Sequence, residues 1–195
     1  MDKNFEVFDE RFNAIIAESS KLEKLYTGTI WAEGPCYFAE EGYLIWSDIP
    51  NNRMLRWSEA DGSVAEFHKP SHYSNGNTRD LQGRLITCEH GKRRVNRTES
   101  NGTVVGKSLA NGRLFADIEP GLSDGFRFDA NSYLYTSAAD SIQVFAEDGT
   151  LLGKIYVPEV ISNCTFGGQD KNRLFITATT SLYAIYLNTR GVQTP

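Results

Sequence analysis

The chain has 195 residues, 40% hydrophobic and 12% aromatic with 17 glycines, enough for a real core in one domain or at most two small ones. Its formal net charge of −5 argues against a nucleic-acid partner. Its cysteines, Cys36, Cys88 and Cys164, form no C-x-x-C pair, which excludes a zinc knuckle or a thioredoxin-like motif.

The N-terminal stretch MDKNFEVFDERF has no apolar core of the signal-peptide kind, and nothing later is long and apolar enough to span a membrane. With an odd cysteine count, this predicts reduced thiols in a cytoplasmic protein that needs no membrane. Cys88 and Cys164 are expected as small buried residues. Over residues 5–25, Phe8, Phe12, Ile15 and Ile16, with Phe5 less regularly, recur at helical spacing among charges. Residues 1–26 are therefore expected to form a short helical segment.

After Thr27 the texture changes to short alternating runs divided by Gly, Asn and Asp turns, which predicts an all-β domain over residues 27–191. Strand-like runs at 43–47, 84–88, 133–137 and 173–177 each carry a leucine: Leu44, Leu85, Leu134 and Leu174, spaced 41, 49 and 40 residues apart. Turn pairs follow at Asp61-Gly62, Asn101-Gly102 and Asp148-Gly149, with a looser one at 188–191. An all-β repeat of about 40 residues predicts a β-propeller, here with about four blades near 30–70, 71–109, 110–158 and 159–191. The middle interval is too long because 103–117 holds two outer-strand-like runs in tandem, 103–109 and 113–117. One blade needs one such strand, so this stretch reads as a seam between two blade ends.

A polar corner precedes each marker leucine by 11, 10, 10 and 11 residues: Glu33-Gly34-Pro35, Asn75-Gly76, Asp124-Gly125 and Asn163-Cys164. In a propeller such corners converge at one end of the central channel. They would offer two carboxylates and two amide oxygens, a donor set for Ca²⁺, or for Mg²⁺ or Mn²⁺. Asn75 and Asn163 are equally readable as plain turn formers. Glu33 is a poor turn residue in an apolar run, and Asp124 keeps the register of the other corners. Residues 121–125 also match G-x-S-x-G, but a nucleophile elbow needs a helix after the serine, and the residues following Ser123 alternate like a strand. His68, His72 and His90 show no zinc-binding spacing.

Four segments, TGTIWAEGPCYFAEEGYLIWSDIPNNRMLRW, NTRDLQGRLITCEHGKRRVNR, GRLFADIEPGLSDGFRFDA and NCTFGGQDKNRLFITATTSLYAI, resemble the gluconolactonase family, which includes regucalcin (the senescence marker protein). The resemblance runs through nearly the whole chain. It implies a six-bladed propeller that holds one divalent cation in its channel and hydrolyses sugar lactones such as glucono-1,5-lactone. It also implies that Glu33 (the family's E-G-P corner) and Asp124 (its P-D-G corner, with Ser123 in place of Pro) are cation ligands. The family's P-N-G and P-N-D corners are absent and would fall in the seam, so about two blades and the main substrate corner are expected to be missing.

The repeat register then offers Asn163 as a third metal ligand and Asn75 as the substrate-binding replacement. Ca²⁺ is the leading cation, with Mg²⁺, Mn²⁺ or Zn²⁺ as alternatives. Asp124 is the candidate base for the attacking water, and a small sugar lactone is the expected partner. The alternative is a non-catalytic propeller remnant that binds a metal or a protein partner. If the ring is open, exposed strand edges and blade faces invite self-association into a homo-oligomer.

Overall fold

Alternating runs joined by tight turns fold as consecutive antiparallel hairpins. In the computed structural model, which describes residues 4–79, 83–97 and 115–192, they build four sheets. One is the meander β3 (Ala32–Phe38), β4 (Tyr43–Asp48), β5 (Arg53–Ser58) and β6 (Val64–His68). The next is β7 (Ser74–Arg79), β8 (Leu85–Glu89) and β9 (Arg94–Arg97). A third joins β10 (Phe126–Phe128), β11 (Leu134–Ser137), β12 (Ser141–Phe145) and β13 (Leu151–Tyr156), and carries β1 (Phe5–Val7) on its outer edge. The last joins β14 (Ile161–Gly167), β15 (Arg173–Ala178) and β16 (Ser181–Tyr186), and carries β2 (Glu23–Thr27) outermost. The four marker leucines all lie on the second strand of their sheets.

The first strands pack side by side in the order β10, β14, β3, β7, so each sheet radiates outward from a shared centre. This is the propeller expected from the repeat. Successive side chains of a strand point to opposite faces, and in β4 and β15 both faces are buried between neighbouring sheets. Leu44 and Trp46 of β4 pack on Phe175, Leu182 and Ala184 of the last sheet. Ile45, between them, turns the other way to join Cys36, Phe38, Met54 and Leu85. In β15, Leu174 and Ile176 face the third sheet's Ile142, Val144 and Leu152, while Phe175 faces β4.

The N-terminal segment differs from the expected helix. Only Glu10–Ala14 is helical, as a single 3-10 turn capped by Asp9, which accepts from Arg11 N at 3.0 Å. On either side the chain is β1, paired Phe5↔Ile155, and β2, paired Thr27↔Ser181. Edge strands of the two C-terminal sheets claim these residues, and tertiary pairing overrides the local period. The buried members of the apparent helix face still reach the core: Phe12 and Ile15 join its largest cluster, while Phe8 is 52% exposed. Cys88 also departs from expectation, because it lies exposed on β8, whereas Cys36 and Cys164 are buried; all three thiols are free. Most of the seam, residues 103–114, and the Asn101-Gly102 turn lie outside the described residues; 115–117 are described and belong to no strand.

Candidate active site

Three of the four polar corners coincide with a break in strand register at the head of an inner strand. In β3 the shift falls between Glu33 and Cys36, in β7 between Ser74 and Asn77, and in β14 between Ile161 and Asn163. An extra residue at such a bulge turns its side chain out of the regular alternation, here toward the end of the channel. The fourth corner is held from its own sheet: Asp124 N and Gly125 N both donate to Ser137 Oγ, at 3.0 and 3.1 Å. Gly125 N also reaches Ser162 O of the neighbouring sheet at 3.1 Å.

These devices bring Glu33, Asp124 and Asn163 together from three sheets. Glu33 is 2% exposed. Its Oε2 accepts from Gly34 N at 3.1 Å and from Asn163 Nδ2 at 3.3 Å, and Trp31 Nε1 approaches its Oε1 at 3.4 Å. The Asp124 carboxylate lies near enough for its charge to act on the same carboxyl. Burial, reinforced by the Asp124 charge, pushes the Glu33 carboxyl up to about 7. Two glycines make the close approach feasible. A β-carbon on Gly34, at φ +55°, would stand 2.2 Å from Asn75 O, and one on Gly125 would stand 2.0 Å from Asn163 Cγ.

Asn75 is placed differently. Its side chain is exposed and makes no hydrogen bond among the described residues. Its backbone carbonyl serves the fold instead, accepting from Ser47 Oγ at 3.0 Å and Asn77 Nδ2 at 3.3 Å. The Ser123 hydroxyl meets Thr136 Oγ1 at 2.6 Å, and the strand β10 follows it.

Several positioning residues were not singled out from the sequence. Asn77 is buried and ties β7 to the first sheet, donating to Gly34 O at 2.9 Å and Ser47 Oγ at 3.0 Å. Ser162 donates to Ala32 O and shares a 3.0 Å contact with Thr177 Oγ1. Ser47, Ser137 and Thr177 each stand three residues after a marker leucine, so the same repeat that revealed the corners also carried their hydroxyl supports.

The donor set suits a hard divalent cation. Two neighbouring carboxylates repel unless they share a proton or a cation. Asn163 turns its Nδ2 to Glu33, while its Oδ1 accepts from Cys164 N at 2.9 Å, so the amide would have to turn over to offer its oxygen to a cation. Among the described residues no group of three or more His, Cys, Asp or Glu side chains is gathered for a metal. What gathers at this corner is two carboxylates and one amide.

The fold is thus a β-propeller with a polar cluster where its inner strands begin. The SMP-30/gluconolactonase/LRE-like region model matches residues 31–107 and 103–180, and the chain belongs to that family. The two matches meet at 103–107, inside the stretch where the repeat interval lengthens. A gluconolactonase from Zymomonas mobilis is 36% identical over 64 residues, which span 33% of this chain but only 18% of that protein. Among solved structures, a structural-genomics target whose gluconolactonase name is provisional superposes with a TM-score of 0.88 at 22% identity, over 97% of this chain and 100% of that one. A gluconolactonase from Xanthomonas campestris gives 0.84 at 24%, over 94% and 95%. Regucalcin from Agrobacterium tumefaciens, described as calcium-binding, gives 0.71 at 12%, over 90% and 97%. At these identities the structures speak for the fold.

Proposed function

We propose that the chain is a divalent-metal-dependent hydrolase of small sugar lactones. The observation that carries this reading is the meeting of buried Glu33 with Asp124 and Asn163 at one end of the inner strands. Glu33, Asp124 and Asn163 would hold the cation, with Ca²⁺ ahead of Mg²⁺, Mn²⁺ or Zn²⁺. A bound cation would supply Lewis-acid polarisation of the lactone carbonyl. Asp124, exposed on the rim, would take the proton from the water that attacks that carbonyl. The two backbone N–H bonds to Ser137 fix the loop that carries it. Gly34 and Gly125 keep the corner open enough for the three side chains to converge. Asn75, with an uncommitted exposed side chain on the neighbouring sheet, is the candidate contact for a sugar hydroxyl. Among the described residues no helix is long and apolar enough to cross a membrane, and a cytoplasmic location belongs to the same proposal.

The test is steady-state hydrolysis of glucono-1,5-lactone in Ca²⁺, in chelator, and in Glu33→Gln and Asp124→Asn. Turnover that disappears in chelator and in both variants supports the enzyme. A rate indifferent to chelator and to both substitutions rules it out. One observation favours a second reading, a metal-binding propeller without turnover: no P-N-G or P-N-D corner stands in the chain to contact substrate. A folded protein that gains thermal stability from Ca²⁺ but shows only the background rate would establish that reading.

A further inference from the structure

Beyond the polar corner, the inner strands enclose a second feature. A cavity of about 370 Å³ lies among β3, β7, β10 and β14, walled by Cys36, Arg79, Arg127 and Thr165, with Glu40 and Lys171 also lining it. It is separate from the Glu33 cluster: Thr165 follows Asn163 by two residues, a rise of roughly 7 Å along the strand. Three cationic side chains and one carboxylate line it.

The charges are not equivalent. Arg79 is committed, with Nη2 on Glu40 at 2.8 Å, Nε on Gly83 O at 3.1 Å, and its guanidinium 4.8 Å from the Phe38 ring centre. Arg127 is not. Its Nη1 bonds Phe126 O at 2.7 Å, but its Nε is buried and has no hydrogen-bond partner, and no carboxylate pairs with it among the described residues. It shares the cavity wall with Cys36 of β3 and Thr165 of β14. A buried N–H left unmade costs free energy, and a guanidinium that no carboxylate pairs keeps its fork of donors for an oxyanion.

We propose that this cavity is a binding site for a small oxyanion, a carboxylate or a phosphate, held by the unpaired guanidinium of Arg127 within the cationic wall formed with Arg79 and Lys171. A lactone hydrolase would generate one such ligand, the ring-opened acid, but the site stands on the cavity and Arg127 alone and does not require that activity.

The experiment is isothermal titration of the folded full chain, in chelator and at fixed ionic strength, with acetate, gluconate and inorganic phosphate as separate ligands. The expected result is saturable binding of at least one of them, weakened roughly ten- to a hundredfold in Arg127→Met, which keeps bulk but removes charge and donors. Arg127→Lys retains the charge without the fork and should also bind more weakly. Affinity in Asp124→Asn should equal that of the unaltered protein. Stronger binding of gluconate or acetate than of phosphate assigns the site to carboxylates, and the reverse order to phosphates. Three outcomes each overturn the proposal: no binding of any of the three anions, binding unchanged in Arg127→Met, or binding lost in Asp124→Asn. Should Arg127→Met fail to fold, Arg127→Lys decides, because binding identical to the unaltered protein would overturn the proposal equally.

Discussion

Gly125 lies against Asn163 so closely that a β-carbon on the glycine would stand 2.0 Å from the amide carbon. The two residues belong to different sheets, and the same amide reaches Glu33 Oε2 at 3.3 Å. Adding one methyl group at 125 must therefore push Asn163 off Glu33. Gly125→Ala is expected to lower stability by about 1–3 kcal/mol and Ca²⁺ affinity by roughly tenfold, measured by urea unfolding and by calcium titration. Gly34→Ala should cost more, because the clash at 2.2 Å is with the Asn75 backbone and the φ is +55°.

Glu33 sets a pH dependence. Without a cation its carboxyl titrates at about 7, above its ordinary value of 4.5. Its protonated form is thus the one favoured by folding. That contribution is full below about 4.5, declines as pH rises, and is gone above about 7. A cation competes with that proton, so Ca²⁺ affinity should climb by about tenfold per pH unit up to neutrality and level off above it. Calcium titrations between pH 5 and 8, repeated in Glu33→Gln, would check this; an affinity flat across that range contradicts it.

Glu159 pulls the other way. Desolvation raises its carboxyl, but hydrogen bonds from Ser181, Thr180 and Tyr183 outweigh that and hold it at about 2. The bonds from Thr180 N, Ser181 Oγ and Tyr183 Oη are 2.7, 2.6 and 2.7 Å long. The stability it contributes is present above its ordinary 4.5 and is lost as pH falls toward about 2. Glu159→Gln should cost about 1–3 kcal/mol at pH 7 and little at pH 2, read from denaturant midpoints at both.

Phe12 fills the space beside Gly153, where a β-carbon would meet its ring at 2.5 Å, and is itself fully buried. Phe12→Ala is expected to destabilise by about 3–5 kcal/mol. Removal of residues 1–27 should go further and abolish cooperative unfolding, since β2 covers the edge of β16. Thermal scans of both variants would show it.

Ser123 and Asp124, side by side in the G-x-S-x-G match, separate by activity. Ser123→Ala should retain lactone hydrolysis, having lost only its bond to Thr136. Asp124→Asn should lose it by roughly a hundredfold or more.

Glu33 and Asp124 were legible because a corner at a fixed distance from a marker leucine survives translation from sequence to fold. The register cannot say which side chains will touch: Asn163 reaches Glu33, while the Asn75 side chain is exposed. Asn77, two residues on and past the bulge in β7, is buried and forms a hinge pin between sheets. Residues 5–25 misled for another reason. Short apolar spacing fits a helix or strand edges equally well, and the deciding partners, Ile155 and Ser181, lie about 150 residues away. Cys88 shows the limit of composition: a residue type that is usually buried sits on the outer face of β8.

The pairing of Thr27 with Ser181, 154 positions apart, has a consequence for biosynthesis. At a translation rate of about 5–20 residues per second, β2 emerges from the ribosome roughly 8–30 s before its partner strand exists. Through that interval Phe12, Ile15 and Leu25 have no core to enter, and whatever chaperone first meets the nascent chain meets those side chains. The last sheet can form in full only once β16 has emerged, and until then β2 waits as an unpaired strand.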